Sequence, residues 1–116
     1  MERIDRETAH KPFLLNIAVN YGGREEITHA CNELIKQGKY PVTEEDICKH
    51  IYTADCPDPD LVVRTGGDLR TSNFLLWQSA YTEYYFTDVL WPDYSAEDVD
   101  EAVRVFYSRK RRYGGV

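Results

Sequence analysis

Cysteine is scarce in this chain of 116 residues: Cys31, Cys48 and Cys56 are odd in number and far apart. That excludes a disulfide framework and predicts reduced, mostly buried thiols. No Cys or His pair has the spacing of zinc ligands, and nothing singles out a Cys–His nucleophile among the three cysteines and His10, His29 and His50. Cations are also in deficit, 14 Lys and Arg against 20 Asp and Glu for a net charge of −6. Long-range repulsion of phosphate backbones then argues against a nucleic-acid partner. There is no long hydrophobic run. The longest, Phe13 to Val19, is broken by Asn16 and falls short of the ~18 residues that a membrane span requires. Met1-Glu2-Arg3-Ile4-Asp5 has neither the basic start nor the apolar stretch of a signal peptide, so the expectation is a cytoplasmic protein. No repeat, low-complexity tract or Pro/Gly-rich linker divides the chain, which predicts one unit over residues 1–116.

What is present suits a folded domain. Hydrophobic residues make up 42% of the chain and aromatics 13%, enough for a core that buries roughly 65% of the unfolded surface by size scaling. Phe13 to Val19 is nearly all apolar without a helical stripe, as in a strand covered on both faces. Ile27, Ala30, Cys31, Leu34 and Ile35 then keep helical spacing, and Gly38 is placed to end that helix. A shorter helix is predicted from Thr43, with Asp46 completing a capping-box variant and Ile47 and Ile51 facing inward. After Pro57-Asp58-Pro59 comes a second strand, Leu61-Val62-Val63. Asn73 to Tyr81 is predicted as a helix, Tyr84-Tyr85-Phe86 as a third strand, and the segment after Ser95, with Val99, Ala102, Val103 and Phe106, as a last helix. Alternating strands and helices predict an α/β layer with a mostly parallel sheet flanked by helices. A three-stranded sheet would leave an edge for further pairing.

The densest chemistry is Arg64-Thr65-Gly66-Gly67-Asp68-Leu69-Arg70-Thr71-Ser72-Asn73, at the carboxyl end of a predicted strand, where open α/β sheets bind ligands. Two glycines can turn backbone N–H groups toward an anion, two arginines can fork onto phosphate oxygens and Ser72 can donate another hydrogen bond. Together they suit a diphosphate. Glu83, set among aromatics, is either a carboxylate on a solvent-facing strand or a ligand for Mg²⁺, a hard cation that bridges substrate phosphates. Asp68, Asp88 and Asp93 are further acidic candidates. Arg109-Lys110-Arg111-Arg112 reads first as a solvated helix end, with a local basic site as the alternative.

These stretches, with Leu15 to Arg24, Asn73 to Gln78, Tyr84 to Asp93 and Arg111 to Gly115, resemble the C-terminal half of a bacterial cis-prenyltransferase of the undecaprenyl diphosphate synthase type. The resemblance implies that fold and a reaction: repeated condensation of isopentenyl diphosphate onto an allylic diphosphate such as farnesyl diphosphate. The product would be a long polyprenyl diphosphate such as the lipid carrier of cell-wall synthesis, giving at most peripheral membrane contact. It implies that Arg64, Arg70 and Ser72 hold isopentenyl diphosphate, that Glu83 and Asp68 are the catalytic acidic residues, and that Glu83 is associated with Mg²⁺. It further implies a homodimer in which Arg112 and Gly114, of the family's Arg-x-Gly motif, reach the active site across the interface. The family's opening Asp-Gly-Asn-Gly-Arg motif, which handles the allylic diphosphate, does not occur in this sequence. The expectation is therefore a fragment of the enzyme that is inactive by itself. The alternatives are a non-catalytic partner subunit that supplies Arg-x-Gly, and a generic phosphate-binding module.

Overall fold

A computed structural model describes residues 9–110. The apolar stripe after Tyr21 forms α1, Gly23–Lys36. It ends at Gly38, whose φ of +68° glycine adopts at little cost. The Gly38 N–H donates to the Ile35 carbonyl at 2.9 Å and the Lys39 N–H to that of Leu34 at 3.0 Å, which closes the last turn. The short α2, Glu44–Cys48, starts from a reciprocal capping box: Thr43 Oγ1 accepts from the Asp46 N–H, and the Asp46 carboxylate accepts from the Thr43 N–H at 2.9 Å. Ala30 and Leu34 of α1 meet Ile47 and Ile51 in a buried cluster, with Cys31 and Trp77 against its margin. Ile35 remains 70% exposed, so the buried stripe of α1 is narrower than its apolar spacing suggests.

Two strands follow, β1 (Leu61–Arg64) and β2 (Glu83–Phe86), paired in parallel with Leu61 opposite Glu83 and Arg64 opposite Phe86. Parallel strands cannot be joined by a tight turn, so residues 65–82 form a long crossover that leaves from the carboxyl end of β1. A 3₁₀ turn at Trp91–Asp93 leads to α3, Ala96–Ser108, which begins with a second capping box between Ser95 and Asp98 and lies against β2.

Four expectations are corrected. Phe13 to Val19 is irregular rather than a strand, and Phe13, Leu14, Leu15, Ile17 and Val19 are 69–90% exposed. A strand needs a neighbour for its ladder, and among the described residues the sheet has only two strands, not three. Asn73 to Tyr81 is a series of turns rather than a helix, because Ser72, Asn73 and Leu75 all take positive φ, outside the right-handed helical region. The thiols are free, but Cys31 and Cys56 are half-buried and Cys48 is exposed. The buried core is small: among the described residues its hydrophobic members are Ala30, Leu34, Ile47, Ile51 and Ala102, since the 13–19 segment and much of the sheet face remain open.

Candidate functional site

Arg64 is the last residue of β1, half-buried, and its guanidinium reaches forward over the crossover. Nη1 donates to Ser72 Oγ at 3.1 Å and Nη2 to Asp68 Oδ2 at 3.0 Å. Arg70 Nη2 donates to the same Asp68 oxygen at 2.7 Å. One carboxylate oxygen thus holds two guanidiniums together, and a cavity of about 120 Å³ opens beside them, lined in part by Arg64, Arg70, Thr71 and Tyr84. Two cations flanking one internal anion leave an excess of positive charge and several N–H donors for an incoming polyanion.

The glycines act differently from the expectation. Gly66 and Gly67 have φ of +85° and +78°, but their N–H groups donate to the Val89 and Thr87 carbonyls, both at 2.9 Å, and do not face an anion. They extend the pairing of the two strands beyond Arg64. A Cβ at Gly67 would lie 3.1 Å from Asp88 Oδ1, so the lack of a side chain permits this close approach. The arginines and Ser72 are the side-chain donors available to a ligand.

Glu83 stands at the start of β2, opposite Leu61, whereas Arg64 pairs with Phe86. That separates Glu83 from Arg64 by roughly 10 Å along the sheet at 3.3 Å per residue. Glu83 Oε2 accepts from Arg109 Nη1 at 2.9 Å, and the same nitrogen donates to the Tyr84 carbonyl at 2.8 Å. Among the described residues there is no group of three or more His, Cys, Asp or Glu that could hold a metal. What Glu83 offers a hard cation such as Mg²⁺ is one carboxylate, already paired with Arg109. Asp88 lies beside Gly67, while Asp93 belongs to the 3₁₀ turn. Arg112 and Gly114 lie outside the described residues.

Several residues at the site are not evident from sequence. Asn73 joins the crossover to the start of α1, accepting from the Gly23 N–H through its carbonyl at 2.7 Å and from the Arg24 N–H through Oδ1 at 3.0 Å. Below it, Gln78 Nε2 donates to the fully buried carboxylate of Glu26 at 3.0 and 3.2 Å and to Thr53 Oγ1 at 2.9 Å. Tyr52 N–H and Tyr21 hydroxyl complete the shell of Glu26, at 2.8 and 2.5 Å. Burial, then the hydrogen bond to Glu26, pushes the Tyr21 hydroxyl well above the usual phenol range. The available signal was Glu26 itself, a charged residue on the same helical stripe as Ala30 and Leu34. A second cavity, of about 450 Å³, lies between residues 16–21 and Tyr52, Phe74 and Gln78, with no charged side chain in its lining.

Residues 1–114 match a family described as "Putative undecaprenyl diphosphate synthase". The chain is 53% identical to the isoprenyl transferase of Fusobacterium nucleatum, covering 100% of this chain and 50% of that protein. It is 50% identical to that of Neisseria meningitidis serogroup B, covering 98% of this chain and 46% of that protein. Among solved structures it is similar to a probable undecaprenyl diphosphate synthase from Campylobacter jejuni, with a TM-score of 0.82 and 33% identity over 97% of this chain and 53% of that one. It also resembles lavandulyl diphosphate synthase from Lavandula x intermedia in complex with dimethylallyl diphosphate, with a TM-score of 0.78 and 37% identity over 84% of this chain and 44% of that one. The chain spans about half the length of the curated relatives it matches.

Proposed function

The chain belongs to the undecaprenyl diphosphate synthase family of prenyltransferases, and from that membership we propose that its Arg64–Ser72 loop holds isopentenyl diphosphate for condensation onto an allylic diphosphate such as farnesyl diphosphate. The observation that carries this reading is the convergence of Arg64, Arg70 and Ser72 on one cluster at the carboxyl end of β1. Asp68 holds the two guanidiniums side by side before substrate arrives. A diphosphate, with more oxygens and more charge than one carboxylate, then takes the outward N–H donors of both arginines and the Ser72 hydroxyl.

The allylic diphosphate falls to residues outside this sequence, which lacks the family's Asp-Gly-Asn-Gly-Arg motif. The chain is thus the acceptor-site half of an active site, inactive alone, and the retained anion cluster weighs against a partner subunit that supplies only Arg-x-Gly. In the substrate-bound protein Glu83 would be the carboxylate that holds Mg²⁺, and Arg109 would have to release it. The ion supplies charge neutralisation to phosphate oxygens when bound. Tyr81, Leu90 and Trp91 are 65%, 59% and 75% exposed, which supports a homodimer formed through this apolar surface, and the family's Arg-x-Gly motif assigns Arg112 and Gly114 to the neighbouring site. The product would be a long polyprenyl diphosphate such as undecaprenyl diphosphate, the lipid carrier of cell-wall synthesis, made by a cytoplasmic enzyme.

Steady-state kinetics of the full enzyme test the assignment. Arg70→Ala removes a forked cation whose charge-assisted hydrogen bonds contribute about 1.5–3 kcal/mol each. The KM for isopentenyl diphosphate should rise at least roughly tenfold, and that for the allylic substrate far less. Equal effects on both would show that the loop serves a different pocket.

A further inference from the structure

Helix α1 begins without a capping side chain. Its N-cap residue is Gly22, which makes no side-chain cap hydrogen bond, so the first N–H groups of the helix need acceptors from elsewhere. Asn73 provides them. Its main-chain carbonyl takes the Gly23 N–H at 2.7 Å and its Oδ1 takes the Arg24 N–H at 3.0 Å. A single residue of the crossover therefore does the work that Ser, Thr or Asp usually does from the N-cap position.

The packing around this clasp is close enough to explain the paired glycines. A Cβ on Gly22 would lie 2.8 Å from Asn73 Nδ2, and one on Gly23 would lie 3.0 Å from the Leu76 nitrogen. The crossover is fastened again one helical turn further on, where Gln78 bonds the buried Glu26. Between β1 and these two fastenings the backbone takes positive φ at Ser72 (49°), Asn73 (64°) and Leu75 (45°). Side chains of this kind rarely adopt that conformation without outside support. Ser72, the residue immediately before Asn73, is the one that meets Arg64 at 3.1 Å.

We infer that Asn73 is a positioning residue: by capping α1 from across the fold, it holds Ser72, and with it Arg70, in the geometry that receives a diphosphate. This role rests on the diphosphate reading above. Asn suits the task because its side chain is short, accepts a hydrogen bond and tolerates left-handed backbone.

The test is calorimetric binding of isopentenyl diphosphate to the protein and to Asn73→Gly, Asn73→Asp, Gly22→Ala and Arg70→Ala, with unfolding midpoints for each. Asn73→Gly tolerates the positive φ but loses the Oδ1 acceptor, so affinity should fall roughly fivefold to tenfold. Asn73→Asp keeps an acceptor at the helix N-terminus and should restore binding to within about twofold of the unaltered protein. Gly22→Ala, which pushes on the Asn73 amide without altering the loop, should weaken binding in the same direction. A merely structural role would lower the midpoint of Asn73→Gly while leaving its affinity unchanged, and that result would overturn the inference. If Arg70→Ala binds as tightly as the unaltered protein, or the unaltered protein does not bind, the failure lies in the diphosphate reading itself. Hydrogen exchange of the unaltered protein tests the clasp whether or not any variant folds. The Gly23 and Arg24 amides should be protected, and fast exchange at both would remove the basis for the inference.

Discussion

Replacing Glu26 with alanine is expected to be among the most destabilising single changes in the chain. The Glu26 carboxylate is fully buried and accepts hydrogen bonds from Tyr21 Oη, Tyr52 N–H and Gln78 Nε2. Truncation leaves the Tyr21 and Tyr52 donors without their acceptor and Gln78 Nε2 with Thr53 Oγ1 alone, at about 1–3 kcal/mol for each lost bond that water does not replace. Burying the carboxylate itself has a cost, so part of that loss is offset. With that offset, losing the shared acceptor of these neutral donors is expected to cost about 2–4 kcal/mol in Glu26→Ala. For a chain of this size the melting temperature should fall by roughly 10–20 °C. Glu26→Gln keeps the shape and sets an amide against the Gln78 amide. Gln78 Oε1 has no hydrogen-bond partner, so Gln78 can turn its amide over to accept from the new group. The glutamine variant should therefore lose less than half of what the alanine variant loses. Chemical denaturation with matched m-values measures both, and the pair Glu26→Ala with Gln78→Ala should be less than additive. A loss below about 1 kcal/mol for Glu26→Ala, or a glutamine variant as damaged as the alanine one, would refute the hub.

Gly23→Ala should destabilise despite alanine's higher helix propensity, by about 1–3 kcal/mol, because the added Cβ meets the Leu76 backbone and side chain; denaturant titration checks the sign. Hydrogen bonds from Thr43, reinforced by Lys39, hold the Asp46 carboxyl down to about 2, below the ~3.9 of an unfolded aspartate. Its contribution is thus fully present above pH about 4 and lost as the pH falls toward 2. Thr43→Ala should return the Asp46 value toward the ordinary range in a carbon-detected NMR titration, and an unmoved titration would contradict the capping box. Glu83→Gln should shift the magnesium requirement of the full enzyme to higher concentration, whereas an unchanged magnesium titration would leave Glu83 as a partner of Arg109 alone. Light scattering over a range of concentrations should give the mass of a homodimer, and a strict monomer would remove the role of the Tyr81–Trp91 surface.

The parts of this molecule that were legible in its sequence are those determined by neighbours along the chain. Thr43 with Asp46, Ser95 before the last helix, and Gly38 after Leu34 and Ile35 each carry their own instruction for starting or ending a helix. The four residues of the anion cluster lie so close in sequence that their residue types alone suggested a shared ligand. What could not be read depends on distant residues. Phe13 to Val19 has strand composition, but a ladder needs a second strand that the described residues do not provide. Asn73 to Tyr81 has helical composition, yet Asn73 is drawn onto the start of α1 and the backbone turns left-handed to reach it. Gly66 and Gly67 were legible as special backbone positions, but not that their N–H groups would be taken by Thr87 and Val89.

The most direct test of the acceptor-site assignment is a titration of this chain with isopentenyl diphosphate and with farnesyl diphosphate at low and high salt. Binding of isopentenyl diphosphate at one site per chain, weaker as salt rises and lost in Arg64→Ala, is the predicted result, with farnesyl diphosphate bound much less tightly. Failure to bind isopentenyl diphosphate, or equal affinity for the two that survives Arg64→Ala, would contradict it.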